Sequence, residues 1–109
     1  MASDGKTSVL FVHGLWHPAE SWHDWIDLFE RRGFAPSAVR WPGETAFGMG
    51  GEPAGFDDIL RQVLARCAQM ERPPIVIGIG VGGLTAERAL DAGVARAAVC
   101  IAPLSLRDT

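Results

Sequence analysis

The sequence predicts an α/β domain: a small parallel β-sheet of about four strands with helices on its faces, in a three-layer α/β/α arrangement. Three observations lead there. Strand-like apolar runs alternate with longer segments of helical periodicity, in the order β-α-β-α-β-α-β. The runs at Val9–Val12 and Ile75–Ile79 are apolar without polar alternation, as expected of central parallel strands covered on both faces. The segment from Ile75 to Glu87 passes from strand character through a cluster of glycines into helix-like sequence, where α/β proteins place their chemistry. Right-handed crossovers turn such a chain into a parallel sheet with helices on both sides.

Each element has its own signal. Thr7–Val12 is the first strand, closed by His13 and Gly14. Trp22, Trp25, Ile26 and Phe29 then recur at helical spacing, with Leu28 widening the stripe; Ser21 and Asp24 form an expected capping box, and Gly33 a stop. This places Trp22 and Trp25 in the core, with Trp41. Phe34–Trp41 is the second strand. Residues 42–55 form one long glycine- and proline-rich loop. A helix follows from Asp57 or Asp58, its stripe made by Ile59, Leu60, Val63, Leu64 and Cys67. Arg72-Pro73-Pro74 precedes the third strand, Leu84–Leu90 is the next helix, and Ala95–Ala102 the fourth strand.

Composition sets limits. The 109 residues make a single expected domain, 48% apolar and 21% charged, outside the disordered range. A net charge of −3 with scattered arginines argues against a nucleic-acid partner. No apolar run approaches a membrane span, and Met1–Lys6 lacks the features of a signal peptide. Cys67 and Cys100 sit in apolar contexts and are expected to be buried free thiols, which with the absent leader gives a cytoplasmic expectation.

The glycine cluster admits two readings. Gly78, Gly80 and Gly83 satisfy the G-x-G-x-x-G pattern of a dinucleotide cradle. That fingerprint needs an acid about 20 residues on to hold a ribose. The corresponding stretch, Ala97–Ala102, has none, so no cofactor is expected. The second reading is a nucleophile elbow, G-x-S-x-G, with the frame Gly78-Ile79-Gly80-Val81-Gly82 and glycine in the central place.

In this frame the chain resembles the α/β-hydrolase family. Val9–Trp16, with His13-Gly14, looks like the family's first oxyanion segment. Trp41-Pro42-Gly43 resembles the turn after the next strand, Arg72–Leu84 the elbow, and Ile101-Ala102-Pro103 the end of the strand after it. Four motifs in order cover nearly the whole chain as a partial α/β-hydrolase fold, a domain of residues 1–109 that lacks the family's C-terminal half. The resemblance implies oxyanion-type backbone donors at Leu15 and Val81, and a degenerate nucleophile position at Gly80. After Gly80 the acids are Glu87, Asp91 and Asp108, and no histidine follows His23, so no Ser-acid-His triad is expected. Ser105 has no base nearby and receives no catalytic role.

His13, His17 and His23 crowd near Glu20 and Asp24, but His13 matches the family's structural His-Gly and the three are expected to be ordinary loop histidines, so no metal is expected. His13, Trp16, His17 and Glu20 are candidates to line a pocket mouth. The expected function is that of a non-catalytic α/β-hydrolase-like protein acting through self-association or binding. The alternatives are an unconventional carboxylic-ester hydrolase completed by another subunit, and a dinucleotide or phosphate-ligand binder. By family resemblance the strand order is second, first, third, fourth, leaving Ala95–Ala102 at an edge. The expected partner is a second copy, paired through that strand or through an uncovered sheet face.

Overall fold

The computed structural model describes residues 5–14, 18–41, 44–45, 48–49 and 55–102. Strand β1 (Ser8–Val12) is followed by a 3-10 turn at Ala19–Trp22, helix α1 (His23–Arg31) and strand β2 (Ala35–Ala38). Two short strands, β3 (Glu44–Thr45) and β4 (Gly48–Met49), pair antiparallel within the long loop. Helix α2 (Phe56–Gln69), strand β5 (Ile75–Ile79), helix α3 (Val81–Asp91) and strand β6 (Ala97–Ile101) complete the order.

β2, β1, β5 and β6 form one parallel sheet in that order, the order expected. The register brings Val9 opposite Pro36 and Ile75, and Ile75 opposite Ala97. Alternation along β1 then builds two cores. Leu10 and Val12 face α2 and α3, packing with Val39, Ile59, Val63, Cys67, Val76, Ala86 and Ala89. Val9 and Phe11 face the other way, toward Trp22, Ile77 and the partly buried Ile26 and Phe29 of α1. Helices therefore cover both faces of the sheet, as a run of unbroken apolar residues in β1 requires.

Three local expectations are corrected. The Ser21–Asp24 capping box does not form, because the Ser21 hydroxyl donates instead to the Pro18 carbonyl at 2.6 Å and a 3-10 turn precedes α1. That turn carries Trp22 into the core, while Trp25 is left 41% exposed. Helix α3 begins at Val81, not Leu84, since Gly82 and Gly83 are held helical by packing that outweighs their poor propensity. At α2, the Asp58 carboxylate accepts from the Gly55 N–H at 3.4 Å, so the acid read as a start signal does act at the helix N-terminus.

Candidate functional site

β5 passes into α3 through one residue, Gly80, at φ 58° and ψ −118°. This lies outside the left-handed helical well and is sparsely populated by residues with a side chain. The three glycines of the turn are there for different reasons. A Cβ on Gly78 would lie 2.1 Å from the Gly82 carbonyl oxygen. One on Gly82 would lie 2.1 Å from the Val12 carbonyl oxygen and 2.8 Å from that of His13. Neither neighbour is a side chain that could swing aside, so both positions exclude one. At Gly80 a Cβ would find nothing nearer than the Gly14 Cα at 3.9 Å. Space for a side chain exists at the apex; only the backbone angle favours glycine there.

Hydrogen bonds fix the apex in place. The Gly80 N–H donates to the Ile101 carbonyl at 3.0 Å, continuing the β5–β6 ladder by one step. Its carbonyl accepts from Gly83 at 3.0 Å and Leu84 at 3.3 Å, closing the first turn of α3. The N–H groups of Val81 and Gly82, at the first two helical positions, have no helical carbonyl to meet, and the helix dipole makes this end favourable to anions.

Beside the apex is a cleft of about 200 Å³ lined by His13, Gly14, Ser21, Trp22, Trp25 and Ile79. His13 is buried, its ring stacked on Trp41 with centroids 4.5 Å apart. Its Nδ1 lies 2.9 Å from the Gly14 carbonyl oxygen, which can only accept, so Nδ1 is the protonated nitrogen of that contact. The Ser21 hydroxyl gives its proton to the Pro18 carbonyl, and the buried Thr85 hydroxyl gives its own to the Gly82 carbonyl at 2.7 Å. Both hydroxyls thus donate to backbone carbonyls and neither is poised as an activated nucleophile.

Of the residues singled out from the sequence, His13 lines the cleft. Glu20 does not; it makes a two-point ion pair with Arg40, Arg40 Nη1 donating to Glu20 Oε1 at 3.1 Å and Nη2 to Oε2. The hydrogen bonds from Arg40 hold the Glu20 carboxyl below the usual carboxylate range. Leu15, Trp16 and His17 lie outside the described residues, as do Pro42-Gly43 and Pro103–Thr109. Ser21 and Trp22 from the 3-10 turn and Trp25 from α1 also line the cleft; helical spacing marks the two tryptophans as core and gives no signal of a cleft. Among the described residues no group of three or more His, Cys, Asp or Glu side chains is placed to hold a metal ion. No described helix is long and apolar enough to cross a membrane.

Comparison with known proteins bears on this geometry. A search of curated proteins found no match. Among solved structures, the chain is similar to a monoacylglycerol lipase of Paleococcus ferrophilus, with a TM-score of 0.75 and 23% identity over 91% of this chain and 40% of that one. It is similar to an extracellular alpha/beta-hydrolase from a Paenibacillus species (TM-score 0.75, 17% identity, 91% of this chain and 41% of that one). A methylesterase from Arabidopsis gives a TM-score of 0.75 at 21% identity, over 92% of this chain and 44% of that one. The chain thus spans well under half the length of these relatives, and the likeness establishes the shared fold. The sequence profile described as the alpha/beta hydrolase family matches residues 9–109. The chain belongs to the alpha/beta hydrolase family.

Proposed function

We propose that residues 1–109 act as a single hydrolase-fold domain that works by binding and self-association, without covalent catalysis. One observation carries this reading: the apex of the turn has the backbone of a nucleophile elbow, and the residue there, Gly80, has no side chain. In this reading Gly80 stands where family members carry serine. The Val81 N–H, at the start of α3, is in this reading one donor to a bound anion, and the family motif assigns the second donor to Leu15. Such donors stabilise a tetrahedral intermediate only when a nucleophile makes one. Purified protein assayed with short p-nitrophenyl esters should release nitrophenol no faster than an inert protein of equal concentration. Turnover that co-purifies with the chain and disappears in a folded His13→Ala variant contradicts the reading.

Self-association draws on the sheet edges. β2 carries Pro36, which cannot donate to a further strand, and Arg40 follows it. β6 reads Ala-Ala-Val-Cys-Ile, with no proline or charge, and Val99 is 46% exposed. Ile75, Ile79 and Ile101 on the α1 side of β5 and β6 are only partly buried. Antiparallel pairing of two β6 strands about a two-fold axis would satisfy that edge and bring the two apolar faces side by side. Light scattering after size exclusion at about 10 μM should give the mass of two chains, and Val99→Lys the mass of one. A wild-type mass of one chain rejects the self-association part.

A further inference from the structure

We infer that the chain carries an anion site at the opposite end of the sheet from the elbow, suited to the phosphoryl group of a small phosphate monoester. A cleft of about 240 Å³ opens there, its wall including Lys6, Thr7, Ser8, Glu71, Arg72 and Arg96. The three cations come from three separate segments. Lys6 leads into β1, Arg72 into β5, and Arg96 into β6, and these strands are consecutive neighbours in the sheet. Register explains their convergence. Val9 pairs with Ile75, and Lys6 and Arg72 each lie three residues before those positions. Arg96 lies one residue before Ala97, the partner of Ile75, and its backbone N–H is tied to the Pro74 carbonyl at 2.9 Å.

Three other arginines are engaged, Arg40 with Glu20, Arg61 with Asp58 and Arg66 with the Ser37 hydroxyl, while Arg31, Arg32 and Arg88 are exposed and do not line this cleft. Among the described residues no ion pair engages Lys6, Arg72 or Arg96. In a chain with 13 acids against 10 bases, three such cations at one cleft are a local reversal of sign. Two features oppose an anion. Glu71 is in the wall, and α2 ends at Gln69 with its carbonyls, worth about half a negative charge, turned to this end. Arg72 alone would offset the helix end. Lys6 and Arg96 have no such explanation, and the balance stays at roughly one to two positive charges.

Two guanidinium groups offer the planar donor pairs that match phosphoryl oxygens, the lysine adds a point charge, and the Thr7 and Ser8 hydroxyls add donors. At about 30 Å³ per water, the cleft holds roughly eight waters, room for a phosphoryl group on a carrier of a few carbons and too little for a dinucleotide. Because the cations are exposed, binding falls with ionic strength.

The test is amide NMR of the full ¹⁵N-labelled chain at fixed ionic strength. It is titrated in turn with glycerol 3-phosphate, inorganic phosphate, and acetate as a monoanion control. Saturable shifts are expected at Thr7, Ser8, Arg72 and Arg96 with glycerol 3-phosphate, with Val81 and Gly82 unmoved and acetate without effect. Arg72→Gln and Arg96→Gln, both surface changes, should each weaken binding by about tenfold. Saturation by inorganic phosphate at equal affinity assigns recognition to the phosphoryl group alone; weaker saturation adds a contribution from the carrier. Absence of saturation with both phosphates up to about 20 mM, near 2 kcal/mol of binding, overturns the site. So do unchanged affinities in both variants, or shifts confined to Val81 and Gly82. None of these outcomes depends on whether the elbow is catalytic.

Discussion

Replacing Gly82 by alanine separates a packing requirement from a conformational one at the elbow. The added Cβ would sit 2.1 Å from the Val12 carbonyl oxygen, 2.7 Å from its carbon and 2.8 Å from the His13 carbonyl oxygen. Ordinary carbon–oxygen approaches are about 3.3 Å or more, so α3 and β1 must part by roughly 1 Å. Both are backbone elements of one core, with Val12, Leu84 and Ala86 all buried. Forced repacking of this kind costs about 1–3 kcal/mol and more when backbone must move. Helix propensity works the other way, since alanine gains up to about 1 kcal/mol over glycine within a helix. The clash wins, and we expect a net loss of about 3 kcal/mol from a total on the order of 5–15 kcal/mol. Gly80→Ala provides the contrast, because its Cβ meets open space and it pays only for the φ of 58°, about 1–3 kcal/mol. Urea unfolding followed by tryptophan fluorescence measures both. A Gly82→Ala midpoint within error of wild type, or a larger loss in Gly80→Ala, refutes the account of the turn.

Phe11 is fully buried between Trp22 (ring centroids at 4.7 Å) and Phe29 (5.3 Å), so Phe11→Ala should cost about 3–5 kcal/mol in the same urea assay. Burial pushes the Cys67 thiol up to about 11, so iodoacetamide at pH 8 should leave Cys67 unmodified until the chain is unfolded. A thiol whose folded pKa is raised contributes stability that is full below its unfolded value near 9 and is lost as pH rises toward 11. The urea midpoint should therefore decline across that window, and Cys67→Ala should flatten the decline. The Glu20 carboxyl, observed by ¹³C NMR, should titrate below the usual range and return toward it in Arg40→Ala.

Legibility in the sequence followed the range of the interaction. Strands β1 and β5 and the stripe of α2 were readable because each expresses a local period against a buried face. The strand order followed from the family's topology and was observed. Trp25 departs from its expected core position because a 3-10 turn, with the Ser21 hydroxyl bonded to the Pro18 carbonyl, precedes α1 and carries Trp22 alone fully inward. α3 starts three residues before Leu84 because Gly82 lies against the Val12 and His13 carbonyls at the end of β1, an approach only glycine permits and one that has no local signature. The elbow frame itself was visible as spacing, while the differing reasons for Gly78, Gly80 and Gly82 needed coordinates. Glu20 and Arg40 are twenty residues apart, and Lys6, Arg72 and Arg96 span most of the chain; such convergence has no local signature.

The central claim, that this elbow holds no nucleophile, is tested most directly by intact-mass spectrometry of the wild-type chain after incubation with a serine-reactive fluorophosphonate. The account predicts the unmodified mass, since Gly80 offers nothing to phosphonylate and the Ser21 and Thr85 hydroxyls are bound to backbone carbonyls. A stoichiometric single adduct, formed by the folded chain and lost on denaturation before labelling, contradicts it.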